Sequence, residues 1–486
     1  MSGVKKNFIY NTVYHIFLII LPLITTPYVS RVLGAESIGQ FSYNYAIAVI
    51  FVMFSMLGLS NYGNRTIAEL KDSPEKLSKS FWSIYSLQLV SSLTVTIVYI
   101  AYLLFINDSL IAKIMIIHIV SAVFDISWLF FGLEKFKLTA LRSIIVKTIM
   151  TMSVFVFVKG KDDLPVYSSI MCLSSLLTQL SLWPYVIRKI KYVRVTRKEI
   201  VKHIVPNLTL FIPVIAIGIY RYMDKVMLGL MSTDAEVGFY ENSDKIINVP
   251  MALINSLGAV MLPRVTNLLS NKKSDTANKY TEKSICFASF LSTSMCFGIM
   301  AISSVFVSVY FGEGFEKCSS LFYVLLPSCV FLAFANVIRT QYLIPTKKDK
   351  IYVTSIVIGA VINVALNALL IPSLASVGAA IGTLVTQIFV CVYQAYMVRK
   401  NLPIRRYVKQ TIPFAFSGIA MFLILYWIIN SAMNSYHPIA NMAICILIGS
   451  IIYISFLVIT SKLLRINYFK MFSRKKHSMQ NHKAGE

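Results

Sequence analysis

Charge is scarce in this sequence, and negative charge is scarcer still. Only 14% of the 486 residues are charged, and Asp plus Glu number 21 against 46 Lys plus Arg. A soluble globular chain carries about 25% charged residues. That deficit, with 57% hydrophobic residues and a mean hydropathy of +0.69, excludes a soluble enzyme, a disordered chain and a nucleic-acid-binding domain. Catalytic signatures are missing as well. There is no GxxxxGK followed by Ser or Thr, no HExxH and no nucleophile motif, so neither ATP hydrolysis nor zinc chemistry has support. The seven cysteines fall in or beside apolar runs without CxxC or Cys/His spacing. They read as small buried hydrophobes, not as a disulfide framework or a metal site.

What the chain does have is long apolar runs. A spanning helix needs roughly 20 mostly apolar residues. By that measure fourteen runs qualify, at about 10–31, 40–60, 82–106, 113–133, 143–159, 165–187, 207–229, 238–262, 284–310, 318–342, 351–372, 377–398, 411–430 and 441–461. The first follows Lys5 and Lys6 as a signal peptide would, but it holds Asn11, Pro22 and Pro27 and lacks a small-residue cleavage site, so it is expected to remain as a helix. The basic residues test the assignment, because loops facing the cytoplasm collect Lys and Arg. With the N-terminus inside, 36 of the 46 lie in inside segments, 5 outside and 5 within spans. A missed helix would invert every later loop and destroy that contrast. Both termini are therefore expected in the cytoplasm, with the basic tail 462–486 drawn to anionic lipid.

Nine ionisable residues other than His fall within spans: Asp125, Lys147, Arg221, Asp224, Lys225, Glu241, Asp244, Lys245 and Arg339. Each would cost about 2.5–3.5 kcal/mol facing lipid at mid-depth. Together that exceeds the ~5–15 kcal/mol net stability of a typical fold, so most must face a hydrated interior or one another. Glu241, Lys245, Asn248 and Asn255 form one helical stripe, with Glu241 and Lys245 in the favourable i,i+4 order. Arg221 and Lys225 share a face with Asp224 beside them, and His118 and Asp125 lie two turns apart on another helix. Arg221–Asp224 and Glu241–Lys245 read equally as pairs that hold helices in register. His118 reads more simply as a hydrogen-bonded packing residue, Asn363 and Asn367 as interhelical hydrogen-bonding residues, and Lys147 as a side chain that snorkels.

Two stretches repeat. Leu33-Gly34, Glu36-Ser37-Ile38-Gly39, Phe41 and Asn44 follow a span with Pro22 and Pro27. Leu228-Gly229, Glu236-Val237-Gly238, Phe239 and Asn242 follow a span with Pro206 and Pro213. Interrupted helices at matching places in two halves point to a transporter cavity. The expected fold is an all-α polytopic membrane protein: lobes at 1–201 and 202–409 of six helices each, two further helices in 410–461, and the tail.

Several segments resemble one family. Thr26-Pro27-Tyr28-Val29-Ser30-Arg31-Val32-Leu33-Gly34 is similar to the end of the first helix in Wzx-type polysaccharide flippases. Asp224-Lys225-Val226-Met227-Leu228-Gly229, Leu262-Pro263-Arg264, Arg339-Thr340-Gln341-Tyr342-Leu343-Ile344-Pro345, Asn363, Asn367 and Gly378-Ala379-Ala380 match in order across roughly residues 1–400. The family often carries an acid near the position of Gln387, where this chain has none. The resemblance implies the multidrug/oligosaccharidyl-lipid/polysaccharide exporter fold in a bacterial plasma membrane. It also implies an undecaprenyl-diphosphate-linked oligosaccharide as substrate, with polymerase machinery as a candidate partner beside membrane lipids. On that reading Arg31, Arg221, Lys225, Lys245 and Arg339, with Asn248, Asn255, Asn363 and Asn367, meet the diphosphate and sugars. Arg31 reads equally as an outer-interface anchor. Asp125, Asp224, Glu241, Asp244 and His118 are candidates for proton or sodium coupling. No catalytic residue, metal or cofactor is expected. A lipid II flippase or a cation-coupled drug exporter of the same fold stays open, and a membrane-embedded polymerase less so.

Overall fold

The computed structural model describes residues 3–187, 189–432 and 438–464, with 466 and 468. The basic tail beyond residue 468 lies outside the described residues. Among them there is no strand, and the helices are α1 Gly3–Met56, α2 Leu59–Leu70, α3 Pro74–Phe105, α4 Leu110–Ser121, α5 Ser127–Gly132, α6 Phe136–Phe157, α7 Leu164–Leu180, α8 Trp183–Ile187, α9 Arg197–Val201, α10 Ile204–Met231, α11 Asp234–Ser270, α12 Ser274–Ala301, α13 Ser303–Tyr310, α14 Lys317–Ile338, α15 Asp349–Val398, α16 Ile404–Ala432 and α17 Pro438–Leu463. Twelve helical stretches are long and apolar enough to cross a membrane. Two of these, Ile20–Leu70 and Asp349–Val398, each hold a backbone break that divides a pair of expected spans, at Gly34 (φ 78°) and Ala375 (φ 50°). An all-α, multi-pass membrane protein follows, as the apolar runs predict.

Local chemistry explains the breaks. Gly34 takes the left-handed conformation that a residue without Cβ adopts freely. Ala375 takes it at a steric cost of about 1–3 kcal/mol, and the next residue shows what compensates. The Ser376 backbone N–H donates to Glu236 Oε2 at 3.1 Å, and the Ser376 hydroxyl donates to the same oxygen. Lys317 Nζ donates to the other carboxylate oxygen at 2.5 Å. Glu236 thus caps the second half of α15, where the helix dipole favours an anion.

Close contacts group the chain into two units that interleave along the sequence. The first comprises 1–252, 307–325 and 353–389, the second 253–306, 326–352 and 390–486. The first unit has an aromatic core around Trp128, which is fully buried with Phe81, Phe130 and Ile84. Gly63 lets that indole approach, since a Cβ there would stand 2.6 Å from its ring. Gln88 accepts from Trp128 Nε1 at 3.0 Å and donates to the carbonyls of Ala122 (2.7 Å) and Asp125 (2.8 Å). It thereby satisfies the gap between α4 and α5, as backbone groups in an apolar phase require. In the second unit α12, α16 and α17 pack around Met421, Leu425, Cys445 and Tyr453. They leave an apolar cleft of about 480 Å³. Large side chains such as Leu104, Leu369, Trp427 and Leu447 are mostly exposed, as a surface solvated by lipid allows.

Candidate functional site

Within the first unit a cavity of about 290 Å³ opens between α1, α6, α7, α10 and α11. Six residues expected at the site line it: Arg221 and Lys225 from α10, and Glu241, Asp244, Lys245 and Asn248 from α11. The helical stripe read from the sequence accounts for the α11 contribution. Its last member, Asn255, does not join them, because it belongs to the second unit and accepts from Asn336 Nδ2 at 2.7 Å.

Ion pairing inside the cavity is asymmetric. Lys225 Nζ lies 2.5 Å from Glu241 Oε2 and 3.5 Å from Asp244 Oδ2. Lys245 Nζ lies 3.4 Å from the other oxygen of Glu241 and 3.4 Å from Asn242 Oδ1. Glu241 therefore bridges two lysines across α10 and α11. Arg221 is exposed and makes no ion pair among the described residues. Three basic and two acidic side chains line the space, so one positive charge is left over, carried where Arg221 can meet an incoming anion.

Sequence reasoning missed the rest of the wall. Tyr45, Tyr167 and Tyr222 face the cavity with Ser30, Ser42 and Thr26. Tyrosines inside apolar runs look like packing residues, and only their register beside the ionic stripe would have drawn them out. Asn242, noticed as a repeat position opposite Asn44, is buried and donates to Ser30 Oγ at 3.0 Å.

Asp224 does not face Arg221. One residue before Lys225, it points to the other side of α10, where it is 4% exposed. Its carboxylate accepts from Asn367 Nδ2 (2.6 Å), Tyr240 Oη (2.6 Å) and Thr383 Oγ1 (2.8 Å). Asn363 accepts from the same Asn367 amide at 3.4 Å. Gly382 makes room for the arrangement, since a Cβ there would stand 2.4 Å from Asn367 Oδ1. This is a carboxylate held by neutral donors, with two of the asparagines expected for sugar contacts serving it instead.

The remaining expected residues lie apart from the cavity wall. Asp125 accepts from the Ser127 backbone N–H (3.0 Å) and hydroxyl (2.6 Å), which starts α5. His118 is buried with its ring 5.0 Å from that of Tyr45, so it stands behind the wall. Arg31 is exposed and donates to the Val309 carbonyl, and close by Tyr310 donates to the Leu23 carbonyl at 2.7 Å. Arg339 belongs to the second unit, where its guanidinium lies over the Tyr352 ring at 5.2 Å.

Many apolar helices, a proline-interrupted pair flanking a polar cavity and buried ionic groups define a polytopic transporter fold. The model of the polysaccharide biosynthesis protein family matches residues 4–269, and the chain belongs to that family. It is 23% identical over 407 residues to a putative O-antigen transporter of Escherichia coli (strain K12), covering 82% of this chain and 97% of that one. It is 26% identical over 164 residues, 34% of each chain, to a probable low-salt glycan biosynthesis flippase, Agl15, of Haloferax volcanii. In fold it is similar to the lipid II flippase MurJ in an inward closed conformation, with a TM-score of 0.72 at 17% identity over 94% of this chain and 99% of that one. The resemblance to Wzx-type flippases is thereby borne out.

Proposed function

We propose that the protein flips undecaprenyl-diphosphate-linked oligosaccharide repeat units from the cytoplasmic to the outer leaflet of a bacterial plasma membrane, supplying capsule, O-antigen or exopolysaccharide synthesis. Sugars and a diphosphate cannot cross hydrocarbon unaided, because each polar group left unsatisfied there costs several kcal/mol. They need a hydrated route with cations for the phosphates and hydroxyl or amide groups for the sugars. The observation that carries the reading is the cavity in which Arg221 stays unpaired beside Lys225 and Lys245. Arg221 supplies a guanidinium fork for phosphate oxygens, while tyrosines, Asn248 and serines meet sugar hydroxyls. Both acids on the wall already serve Lys225 or Lys245, which disfavours a cationic drug as cargo.

Movement is by alternating access of lobes at 1–201 and 202–409, with both termini in the cytoplasm. Asp224 is the favoured coupling residue, because a carboxylate ringed by neutral donors responds to a proton or sodium ion without a competing internal cation. Glu241 and Asp244 are already engaged by lysines.

The test is reconstitution in liposomes carrying the lipid-linked oligosaccharide in both leaflets, with an impermeant glycosidase outside. Cleavage beyond the outer-leaflet pool in wild type, and its loss in an Arg221→Ala/Lys245→Ala double variant, supports the reading. No extra cleavage from folded protein under any ion gradient refutes it.

A further inference from the structure

Four cations of the second unit lie on tyrosine rings: Arg264 on Tyr280 (4.1 Å to the centroid), Arg339 on Tyr352 (5.2 Å), Lys348 on Tyr342 (5.0 Å) and Arg399 on Tyr396 (3.4 Å). Among the described residues none of the four has a carboxylate within ion-pairing distance, whereas Arg406 of the same unit pairs with Glu282 at 2.9 Å. The distinction is chemical. A carboxylate fixes a cation by cancelling its charge, as Glu241 does for Lys225. An aromatic face fixes it and leaves the charge available.

Two of these cations belong to one turn. Residues Arg339–Leu343 form a π-helix, closed by the Ile344 N–H donating to the Arg339 carbonyl at 3.0 Å. Such a widened turn is seldom kept inside a helix without a functional reason. The chain then reverses through Lys347 (φ 56°), with the Lys348 N–H donating to the Leu343 carbonyl at 2.8 Å. The reversal returns Tyr352 to Arg339, whose Nη1 donates to the Tyr352 hydroxyl at 3.4 Å. Lys348 Nζ donates to Tyr342 Oη at 3.0 Å and to Asn401 Oδ1 at 3.3 Å. That last bond ties the turn to a second basic one bearing Arg399 and Lys400. From 339 to 352 the sequence holds Arg339, Lys347, Lys348 and Lys350 against the single acid Asp349.

We propose that this α14–α15 turn is a binding site for a diphosphate group, in which Arg339 and Lys348 hold the diphosphate of the polyprenyl-linked substrate at the loading face. One guanidinium fork and one ammonium on the same turn suit two linked phosphates, whereas an ordinary phospholipid offers one phosphodiester. The site rests on the flippase reading for its substrate and for placing the turn on the cytoplasmic side.

The experiment measures binding, separately from transport, with the full-length protein in nanodiscs of neutral lipid. Probes are undecaprenyl diphosphate, undecaprenyl monophosphate and inorganic pyrophosphate as competitor, repeated with phosphatidylglycerol in the disc. Arg339→Gln/Lys348→Gln is expected to weaken undecaprenyl diphosphate about tenfold or more, with an unchanged unfolding midpoint and a smaller effect on the monophosphate. Arg339→Lys/Lys348→Arg, which keeps both charges, retains most of the affinity and covers the case in which the glutamine variant misfolds. Arg264→Gln/Arg399→Gln removes the same charge elsewhere in the unit and leaves binding within about threefold. Equal losses in the two glutamine variants, no loss in either, or phosphatidylglycerol competing as well as pyrophosphate would each overturn the site. Flipping with binding indifferent to Arg339 and Lys348 sinks the site and spares the flippase. Binding that depends on them without flipping does the reverse.

Discussion

Asn367 donates its side-chain amide to Asp224 at 2.6 Å, and between them these residues join α15 to α10 through a carboxylate that no cation neutralises. A hydrogen bond to a charged acceptor contributes about 1.5–3 kcal/mol. Asn367→Leu is therefore expected to lower stability by about that amount, read as a fall in the thermal unfolding midpoint of the detergent-solubilised protein. Asp224→Asn removes the charge and keeps the size. Transport by that variant should lose its dependence on the proton or sodium gradient, and an unaltered dependence would remove Asp224 from the coupling role.

Glu241 stands between Lys225 and Lys245, and deleting one member of a partly buried ionic cluster is worse than deleting the pair. Breaking such a pair from one side costs about 3–5 kcal/mol, whereas apolar residues of similar volume in place of both are often neutral. Glu241→Gln should accordingly destabilise by about that amount. A Lys225→Met/Glu241→Met double variant should recover most of the loss while transport stays impaired. A chemical-unfolding series over the two singles and the double checks this. Additive effects would mean that the 2.5 Å contact is not energetically coupled.

The contrast between these two acids marks where the sequence stops being legible. Span positions, and the grouping of Glu241, Asp244, Lys245 and Asn248 on one wall, follow from apolar length and 3.6-residue periodicity, which depend on one helix at a time. What Asp224 faces does not. It follows from how α10 is rotated against α15, and only tertiary packing sets that angle. Asp125 misled for a related reason. A helical reading put it on a face with His118, but the chain leaves the helix at Ala122–Phe124 and the carboxylate starts α5 instead. The repeat around Glu36 and Glu236 looked like a trace of duplication. The structure adds that Glu236 caps the second half of α15, a role that needs the break at Ala375 and so could not be read from local pattern.

That repeat also brings two helices into backbone contact. A Cβ on Gly39 would stand 1.6 Å from the Asp234 carbonyl oxygen, and one on Gly238 would stand 2.0 Å from that of Ala35. Neither backbone oxygen can yield without moving α1 or α11 as a whole. Overpacking of this kind typically costs about 1–3 kcal/mol. Gly39→Ala and Gly238→Ala are each expected to destabilise by at least that, and the pair by less than the sum, because one displacement of α1 from α11 relieves both clashes. Unfolding midpoints of the three variants decide it, and strict additivity would mean that the two glycines are independent.

Arg221 offers the sharpest separation of function from folding. It lines the cavity, is exposed and has no carboxylate partner among the described residues, so its removal breaks no ion pair. Stability of Arg221→Ala should stay within about 0.5 kcal/mol of wild type, as for surface positions free of special contacts. Transport should nonetheless fall about tenfold or more, the loss expected when a charge-assisted hydrogen bond of roughly 1.5–3 kcal/mol to phosphate disappears. Arg221→Lys keeps the charge but not the fork and should recover only part of the rate. Paired measurements of unfolding and of glycosidase-accessible sugar distinguish the outcomes. A stable alanine variant with full transport would assign phosphate recognition to Lys225 and Lys245 despite their partners. An unstable one would mean that the Arg221 guanidinium holds α10 in place, making it a structural residue whose charge is incidental to the cargo.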